Sequence, residues 1–244
     1  MKKIKTVVLI PARSGSKRLK NKNIRKIAGK PLIAHSIIQA LKLKNIDHVI
    51  VSTDSKKYAK IAENYGAKCF YIRPKKISGD RSSDFDTFKF NENWLNKNLK
   101  YETDIYIHLR PTFPNRSIRD IKKMLKILEK NYKKIDSIRS VIEVKNSLEK
   151  YYKIEKNGFL SNYYGFQRYK SSNNLDFMCN QADQLLPKYF IHDGAIDIFK
   201  AKLLKKNTVS GKKIFAYLRK DTEAFDINNL KDFKKNLKNI KKWN

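Results

Sequence analysis

Cysteine is almost missing from this sequence: Cys69 and Cys179 are the only two, and they lie far apart with no metal-ligand spacing. That scarcity argues against both a disulfide framework and a zinc site. Long apolar runs are missing as well, since none approaches the roughly 20 residues that a membrane-crossing helix needs. The basic opening, Met1 to Lys5, is followed only by Thr6-Val7-Val8-Leu9-Ile10 before Pro11. That core is too short for a secretory signal and has no small-residue cleavage site, so it reads as a strand and the expected location is cytoplasmic. Acidic residues are scarce too, 23 against 55 basic ones, for a formal charge of +32.

What is present is a globular composition. Hydrophobic residues make up 41% and charged residues 32% of 244, enough for one generous domain with a full core. The positive charge invites a nucleic-acid reading. Its make-up points elsewhere: 44 of the basic residues are lysine and 11 arginine, and the lysines are scattered through nearly every predicted helix. A-rich codons account for such an excess. We read a solvated lysine surface whose field draws in small polyanions, with a basic nucleic-acid-binding protein kept as the alternative. Only Lys234 to Lys242 forms a concentrated basic stretch, with Leu237 and Ile240 at helical spacing.

The first half alternates strand and helix signals. Thr6 to Ile10, His48 to Thr53, Lys68 to Ile72 and Asp104 to Leu109 read as buried strands. Helices are expected from Pro31, with Ile33, Ile37, Ala40 and Leu41 inward. Another follows an Asp54 or Ser55 cap, with Tyr58, Ile61, Ala62 and Tyr65 inward, and stops at Gly66. A third starts at Ser117 with Asp120, burying Ile118, Ile121, Leu125 and Leu128. This alternation predicts an α/β fold: a Rossmann-like, mostly parallel sheet with helices on both faces. After about Val144 the pattern changes. Tyr151 to Tyr164, around Asn157-Gly158, predicts a hairpin, and Tyr163 to Pro187 is polar and irregular. Strands at Ile196 to Phe199 and Ile214 to Leu218 follow, then a last helix on Leu230, Phe233, Leu237 and Ile240. The chain is thus one domain, 1–244, with a small inserted unit at about 145–188.

Ligands of open parallel sheets bind beyond the strands' carboxyl ends. Strand one ends in the long turn from Pro11 to Asn23, with Gly15, small hydroxyls and the cations Arg13, Lys17 and Lys22. Small residues let backbone N–H groups approach phosphate, and the cations neutralise it. The turn is neither a P-loop nor a G-x-G-x-x-G fingerprint.

Ala12-Arg13-Ser14-Gly15-Ser16-Lys17 followed by Lys22-Asn23 resembles the first loop of the acylneuraminate cytidylyltransferases, the CMP-sialic acid synthetases. The resemblance continues through Gly29-Lys30-Pro31-Leu32, Val51-Ser52-Thr53-Asp54, Arg73-Pro74 before Gly79-Asp80 and Ser83, the run Arg110 to Arg116, Gly194-Ala195-Ile196 and Asp226-Ile227. The blocks keep the family's order across about residues 6 to 233. The resemblance implies a homodimer and a Mg²⁺-assisted transfer from CTP to the anomeric hydroxyl of an acidic keto-sugar, sialic acid or a related nonulosonate such as legionaminic or pseudaminic acid. Position by position it implies Arg13 and Lys17 on the triphosphate, with Ala12 and Ser16 beside them, Lys22 and Asn23 on the nucleotide, and Arg73 and Ser83 at the cytidine. It puts the metal on Asp226 with Asn228, and the sugar near Arg110, Thr112, Gln184 and Asp193.

Departures cluster on the sugar side. The family's Q-P-T-S-P-L-R reads Arg110-Pro111-Thr112-Phe113-Pro114-Asn115-Arg116 here, and an arginine at its head can either pair a carboxylate with two prongs or fill a different pocket. R-Q-x-L-P reads Asp183-Gln184-Leu185-Leu186-Pro187, N-G-A-I-Y reads Asp193-Gly194-Ala195-Ile196-Asp197, and D-I-D reads Asp226-Ile227-Asn228. The competing role for Asp226 is capping the last helix, which Asn228 or Asn229 could do instead. The sugar therefore stays open, and an inactive nucleotide-binding relative is a further alternative. Among the histidines, His35, His48 and His108 read as packing residues, while His192 stands where a sugar could approach. The aromatic group Tyr151, Tyr152, Tyr163, Tyr164 and Phe166 reads as a dimer contact, with base stacking as the alternative.

Overall fold

The computed structural model describes residues 3–162, 181–220 and 226–238. The expected residues Tyr163, Tyr164, Phe166, Cys179 and Ile240 lie outside these.

The strands, in chain order, are β1 (Thr6–Pro11), β2 (Lys26–Ile27), β3 (Lys30–Pro31), β4 (His48–Ser52), β5 (Ile105–His108), β6 (Ser137–Glu143), β7 (Tyr152–Ile154), β8 (Leu160–Asn162), β9 (Phe190–Lys200) and β10 (Ile214–Leu218). The helices are α1 (Leu32–Leu41), α2 (Lys56–Asn64), α3 (Asp84–Leu99), α4 (Ile118–Lys130) and α5 (Leu230–Lys238). Six strands form the main sheet in the order β10-β6-β9-β5-β1-β4. β1 pairs in parallel with β4 on one side and β5 on the other.

Successive strand residues face opposite sides of a sheet, and β1 is apolar on both. Val8 and Ile10 join Ile33, Ile37 and Ala40 of α1, Ala62 of α2 and Ile121, Met124 and Leu128 of α4 in one core. Val7 and Leu9 join Phe88 and Leu95 of α3 and Leu203 and Leu204 of a short 3₁₀ turn in the other. Helical layers therefore cover both faces.

The sheet is mostly parallel, as the sequence reading has it, with β9 antiparallel to both β5 and β6; the apolar run of β9, Ile196 to Phe199, carries no sign of direction. Three features differ from the sequence reading. Lys68 to Ile72 makes only isolated bridges, Lys68 to Ile50 and Ile72 to Thr53, while Phe70 between them stacks on Trp94. α3 and β6 escaped notice. α3 is rich in asparagine and aromatics, which favour helices weakly, and its signal is the capping box: Ser83 Oγ accepts from Asp86 N–H at 3.1 Å and Asp86 Oδ2 from Ser83 N–H at 3.0 Å. Of the described residues on the expected inner face of α5, only Phe233 is buried; Leu230 and Leu237 are exposed. The hairpin does form, as β7 and β8 turned at Gly158, whose φ is 86°.

One buried cation ties the layers together at the sheet's carboxyl edge. Arg116 is 2% exposed and donates to Ala195 O and Ser36 Oγ, each at 2.9 Å, to Gln39 Oε1 at 2.9 Å, and to Arg110 O. Burial, with Arg219 and Arg110 nearby, brings its pKa down to about 9. Leaving buried acceptors unpaired costs about 1–3 kcal/mol each. Arg116→Met should therefore destabilise the fold by about 3 kcal/mol or more in urea unfolding, against a near-neutral change if the arginine only fills space.

Candidate functional site

The turn leaving β1 is shaped by its neighbours before any ligand arrives. Ser14 N–H and Oγ donate to the two oxygens of Asp54 at 2.7 and 3.0 Å, and Asn23 Nδ2 donates to Arg13 O at 2.9 Å. Ala12 lies buried beneath, its N–H on Ser52 O. Held this way, the turn presents Arg13, Ser16 and Lys22 to a cleft of about 320 Å³, at the low end of ligand-site volumes.

The facing wall follows the bridge at Ile72. Arg73 is buried and donates from Nε to Ser78 Oγ and from Nη1 to Thr87 Oγ1, both at 3.0 Å. Gly79, Asp80 and Ser83 continue the wall, the Ser83 hydroxyl being engaged as the α3 cap. Asp80 bridges the mouth: it meets Arg13 at 2.7 Å and Lys17 at 2.6 Å. These two cations hold its carboxyl below the ordinary carboxylate value. Lys17 itself stands at the rim, 83% exposed.

The third wall comes from far downstream. Ile227 N–H donates to Thr112 O at 3.0 Å and its side chain is buried with Leu19, Ile27, Leu32 and Phe233. That anchor sets Asp226 and Asn228 into the cleft lining. Asn229 caps α5, its Oδ1 accepting from Asp232 N–H at 2.9 Å while Asp232 accepts from Asn229 N–H at 3.1 Å, so Asp226 is free of the capping role. Asn228 Nδ2 donates to Asp226 Oδ2. Asp226 Oδ1 is buried with no hydrogen-bond partner among the described residues. Burial lowers the Lys22 pKa, and Asp226 pulls it back up.

The floor is a paired-charge cluster. Arg110 donates from Nη2 to Asp84 and from Nη1 to Asp197, both at 2.8 Å, and from Nη1 also to Gly194 O at 2.9 Å. Its two prongs are thus committed to carboxylates of this chain. Burial works to raise the pKa of both aspartates, yet each is held below the ordinary carboxylate value: Asp84 by His108 and Arg110, Asp197 by its hydrogen bond from His192 and by Arg110. His108, in edge contact with Phe88, is pushed down to about 4 by burial and by Arg110.

Of the residues singled out in the sequence, Arg13, Ser16, Lys22, Asn23 and Arg73 share this cleft, as do Ser83, Arg110, Thr112, Asp226 and Asn228. Gln184 and Asp193 do not line it. Gln184 lies exposed in a 3₁₀ turn. The side chain of Asp193 is fully buried against Arg219 at 2.7 Å and accepts from Ala195 N–H at 2.9 Å. The roles of Asp54, Asp80, Asp84 and Asp197 were not foreseen, while His108 packs against Phe88 as expected. Asp54 had a usable signal, a carboxylate directly after a strand at the ligand edge of the sheet.

The family model described as "Cytidylyltransferase" matches residues 7–205. The chain belongs to this family. A Campylobacter coli relative named post-translational flagellin modification protein B is 32% identical over 92% of this chain and 90% of its own length. An Escherichia coli N-acylneuraminate cytidylyltransferase is 38% identical over 59% of this chain and 32% of its own length. A Legionella pneumophila CMP-N,N'-diacetyllegionaminic acid synthase is 36% identical over 57% of this chain and 59% of its own length. The match thus spans about a third of the E. coli protein and under two thirds of the Legionella one. In structure, a CMP:2-keto-3-deoxy-manno-octonic acid synthetase complexed with CTP superposes over 98% of this chain and 99% of its own with a TM-score of 0.67 at 18% identity, a likeness of fold.

The buried His108 makes a stability prediction. Its folded pKa, about 4, lies below the ordinary value of 6.5. Between these pH values the unfolded chain binds more protons, so stability falls as pH drops from 6.5 to 4, by about 3 kcal/mol at most. His108→Gln should flatten the melting temperature over that window; an unchanged slope would refute the assignment.

Proposed function

We propose that this chain transfers the cytidylyl group of CTP to the anomeric hydroxyl of an acidic keto-sugar of the nonulosonate class, giving a CMP-sugar and pyrophosphate. The observation that carries the reading is the single cleft in which the turn after β1 faces Asp226 across the sheet's carboxyl edge. Family membership and the names of the relatives support the chemistry.

Attack on the α-phosphorus is promoted mostly by positioning and charge neutralisation. Arg13, Lys17 and Lys22 hold the triphosphate, replacing the interim pairing of Arg13 and Lys17 with Asp80. Arg73, fixed by Ser78 and Thr87, and the wall near Ser83 take the cytidine side. The acceptor lies toward Arg110 and Thr112. Since Arg110 is already balanced by Asp84 and Asp197, this end of the cleft presents neutral and acidic groups. It orients hydroxyl and amide groups of the sugar better than it grips a carboxylate.

The residues at Asp226 fit a magnesium ion. A buried carboxylate oxygen without a partner and the amide oxygen of Asn228 are the hard ligands Mg²⁺ prefers. No group of three or more His, Cys, Asp or Glu that could hold a metal occurs among the described residues, so substrate oxygens and water would complete the shell. When bound, the ion supplies neutralisation of phosphate charge.

A homodimer is the assembly we favour. Ile154, Phe159 and Leu160 on the hairpin, with Phe190 and Ile191 at the start of β9, are exposed apolar residues that a second copy could cover. The reaction belongs in the cytoplasm, where nucleoside triphosphate is available. No helix among the described residues is long and apolar enough to cross a membrane. Nucleic-acid binding and an inactive nucleotide-binding role are outcomes of the same assay.

Pyrophosphate release, measured across the four nucleoside triphosphates with a panel of eight- and nine-carbon acidic keto-sugars, should be specific to CTP and dependent on Mg²⁺. Lys17→Ala should lower kcat/KM about a hundredfold or more. No release with any pair, or an unaltered rate in that variant, would contradict the proposal.

A further inference from the structure

β9 is interrupted opposite β6. His192 pairs with Val141 and Asp197 with Arg139, so residues 193–196 face the single residue Ser140. In an unbroken strand, His192 and Asp197 would lie about 17 Å apart and on opposite faces. The bulge instead brings His192 Nε2 to 2.8 Å from Asp197 Oδ1. Gly194, within the bulge, takes a left-handed φ of 74°, and an added Cβ there would lie 3.6 Å from Arg110 Nη1 and 3.9 Å from Phe113.

The contact fixes the tautomer: Asp197, held anionic by His192 and Arg110, can only accept, so in the neutral imidazole Nε2 carries the proton and Nδ1 the lone pair. The two aspartate oxygens divide the surroundings: Oδ1 serves His192, with Arg139 Nε of β6 at 3.6 Å, and Oδ2 serves Arg110, with His108 Nδ1 of β5 at 3.8 Å. Asp84 of α3 faces the same arginine, Asp193 beside His192 is taken by Arg219, and Arg139 is tied to Ser210 Oγ at 2.6 Å. His192 thus stands one carboxylate away from Arg110 and His108 of the cleft floor. Its side chain is 33% exposed, whereas His108 is 3% exposed. His108 lines the cleft itself, whereas His192, the more exposed imidazole, meets that lining through Asp197 and Arg110.

We infer that His192 is the general base of the transfer, with Asp197 as its positioning residue. This rests on the cytidylyl-transfer reading above. Nδ1 takes the proton of the acceptor's anomeric hydroxyl as that oxygen's electron pair forms the bond to the α-phosphorus. The bond from the α-phosphorus to the α–β bridging oxygen breaks, and its electron pair leaves on pyrophosphate. The imidazolium is balanced by Asp197 and then returns its proton to water. Placing a base on a bulge that also carries Arg110 through Gly194 O links acceptor position to proton removal.

The test compares the wild type with His192→Gln. The wild-type kcat/KM should rise with pH along an acid limb that reports deprotonation of the base. The variant should lose that limb and run a hundredfold or more slower at pH 8, while binding CTP as tightly in calorimetry. Asp197→Asn should lower kcat with the KM for CTP little changed. In the unaltered protein, adding the acceptor sugar with a non-hydrolysable CTP analogue should shift the His192 Nδ1 resonance in ¹⁵N spectra, a readout that needs no variant to fold. A variant that keeps its rate and its acid limb, or an unmoved resonance, overturns the dyad while cytidylyl transfer by the wild type still stands. Absence of pyrophosphate release from the wild type with every acceptor overturns both.

Discussion

Strand β1 is apolar toward both helical layers, with Val7 to Ile10 fully buried, and the placement of every polar function follows from that constraint. An interior strand with no polar side chain along Val7 to Ile10 leaves chemistry only at its carboxyl end, where the chain leaves the sheet. There the backbone is bent by Asp54 gripping Ser14 and by Asn23 holding the Arg13 carbonyl. The cations of the turn are aimed by backbone geometry as much as by their own rotamers. The later segments arrive at the same edge: the Arg73 wall after the bridge at Ile72, the floor after β5, and Asp226 through the Ile227 anchor.

The cleft carries two electrostatic regimes. At its mouth, Arg13 and Lys17 exceed the one acidic partner they share, Asp80, and solvent screens that pairing, so a triphosphate can displace it at small cost. At its floor, Arg110 is matched by the half-exposed Asp84 and the buried Asp197, and it cannot be spared without leaving the buried charge unpaired, which is expensive. The mouth is therefore exchangeable and the floor fixed. Such a division suits an enzyme that admits a polyanion at one end and must hold an acceptor in a set orientation at the other.

Much of this was legible in the sequence, and the limits have physical reasons. The buried strands, the Ser117 cap and the hairpin at Asn157-Gly158 follow from periodicity and turn chemistry. Arg13, Lys22 and Asp226 could be placed together because the turn and the distant carboxylate sit in recognisable blocks. The direction of β9 was not legible, because an apolar run looks the same in either sense. α3 was hidden by its asparagines and aromatics, although Ser83 and Asp86 mark its start. The internal pairing of Arg110 was beyond reach as well: an arginine's type says that it will find carboxylates, and only the bulge in β9, with Asp84 across the cleft, says that they belong to the same chain. For the same reason Asp193, read as a sugar contact, lies buried against Arg219.

The most direct test of the central claim, that one cleft holds the triphosphate between the turn after β1 and Asp226, is a crystal structure with CTP and magnesium bound. The account predicts phosphate oxygens within about 4 Å of Arg13 and Lys17, Asp80 released from both, and the cation on Asp226. A nucleotide bound elsewhere, with the pairing of Asp80 to Arg13 and Lys17 intact, would contradict it.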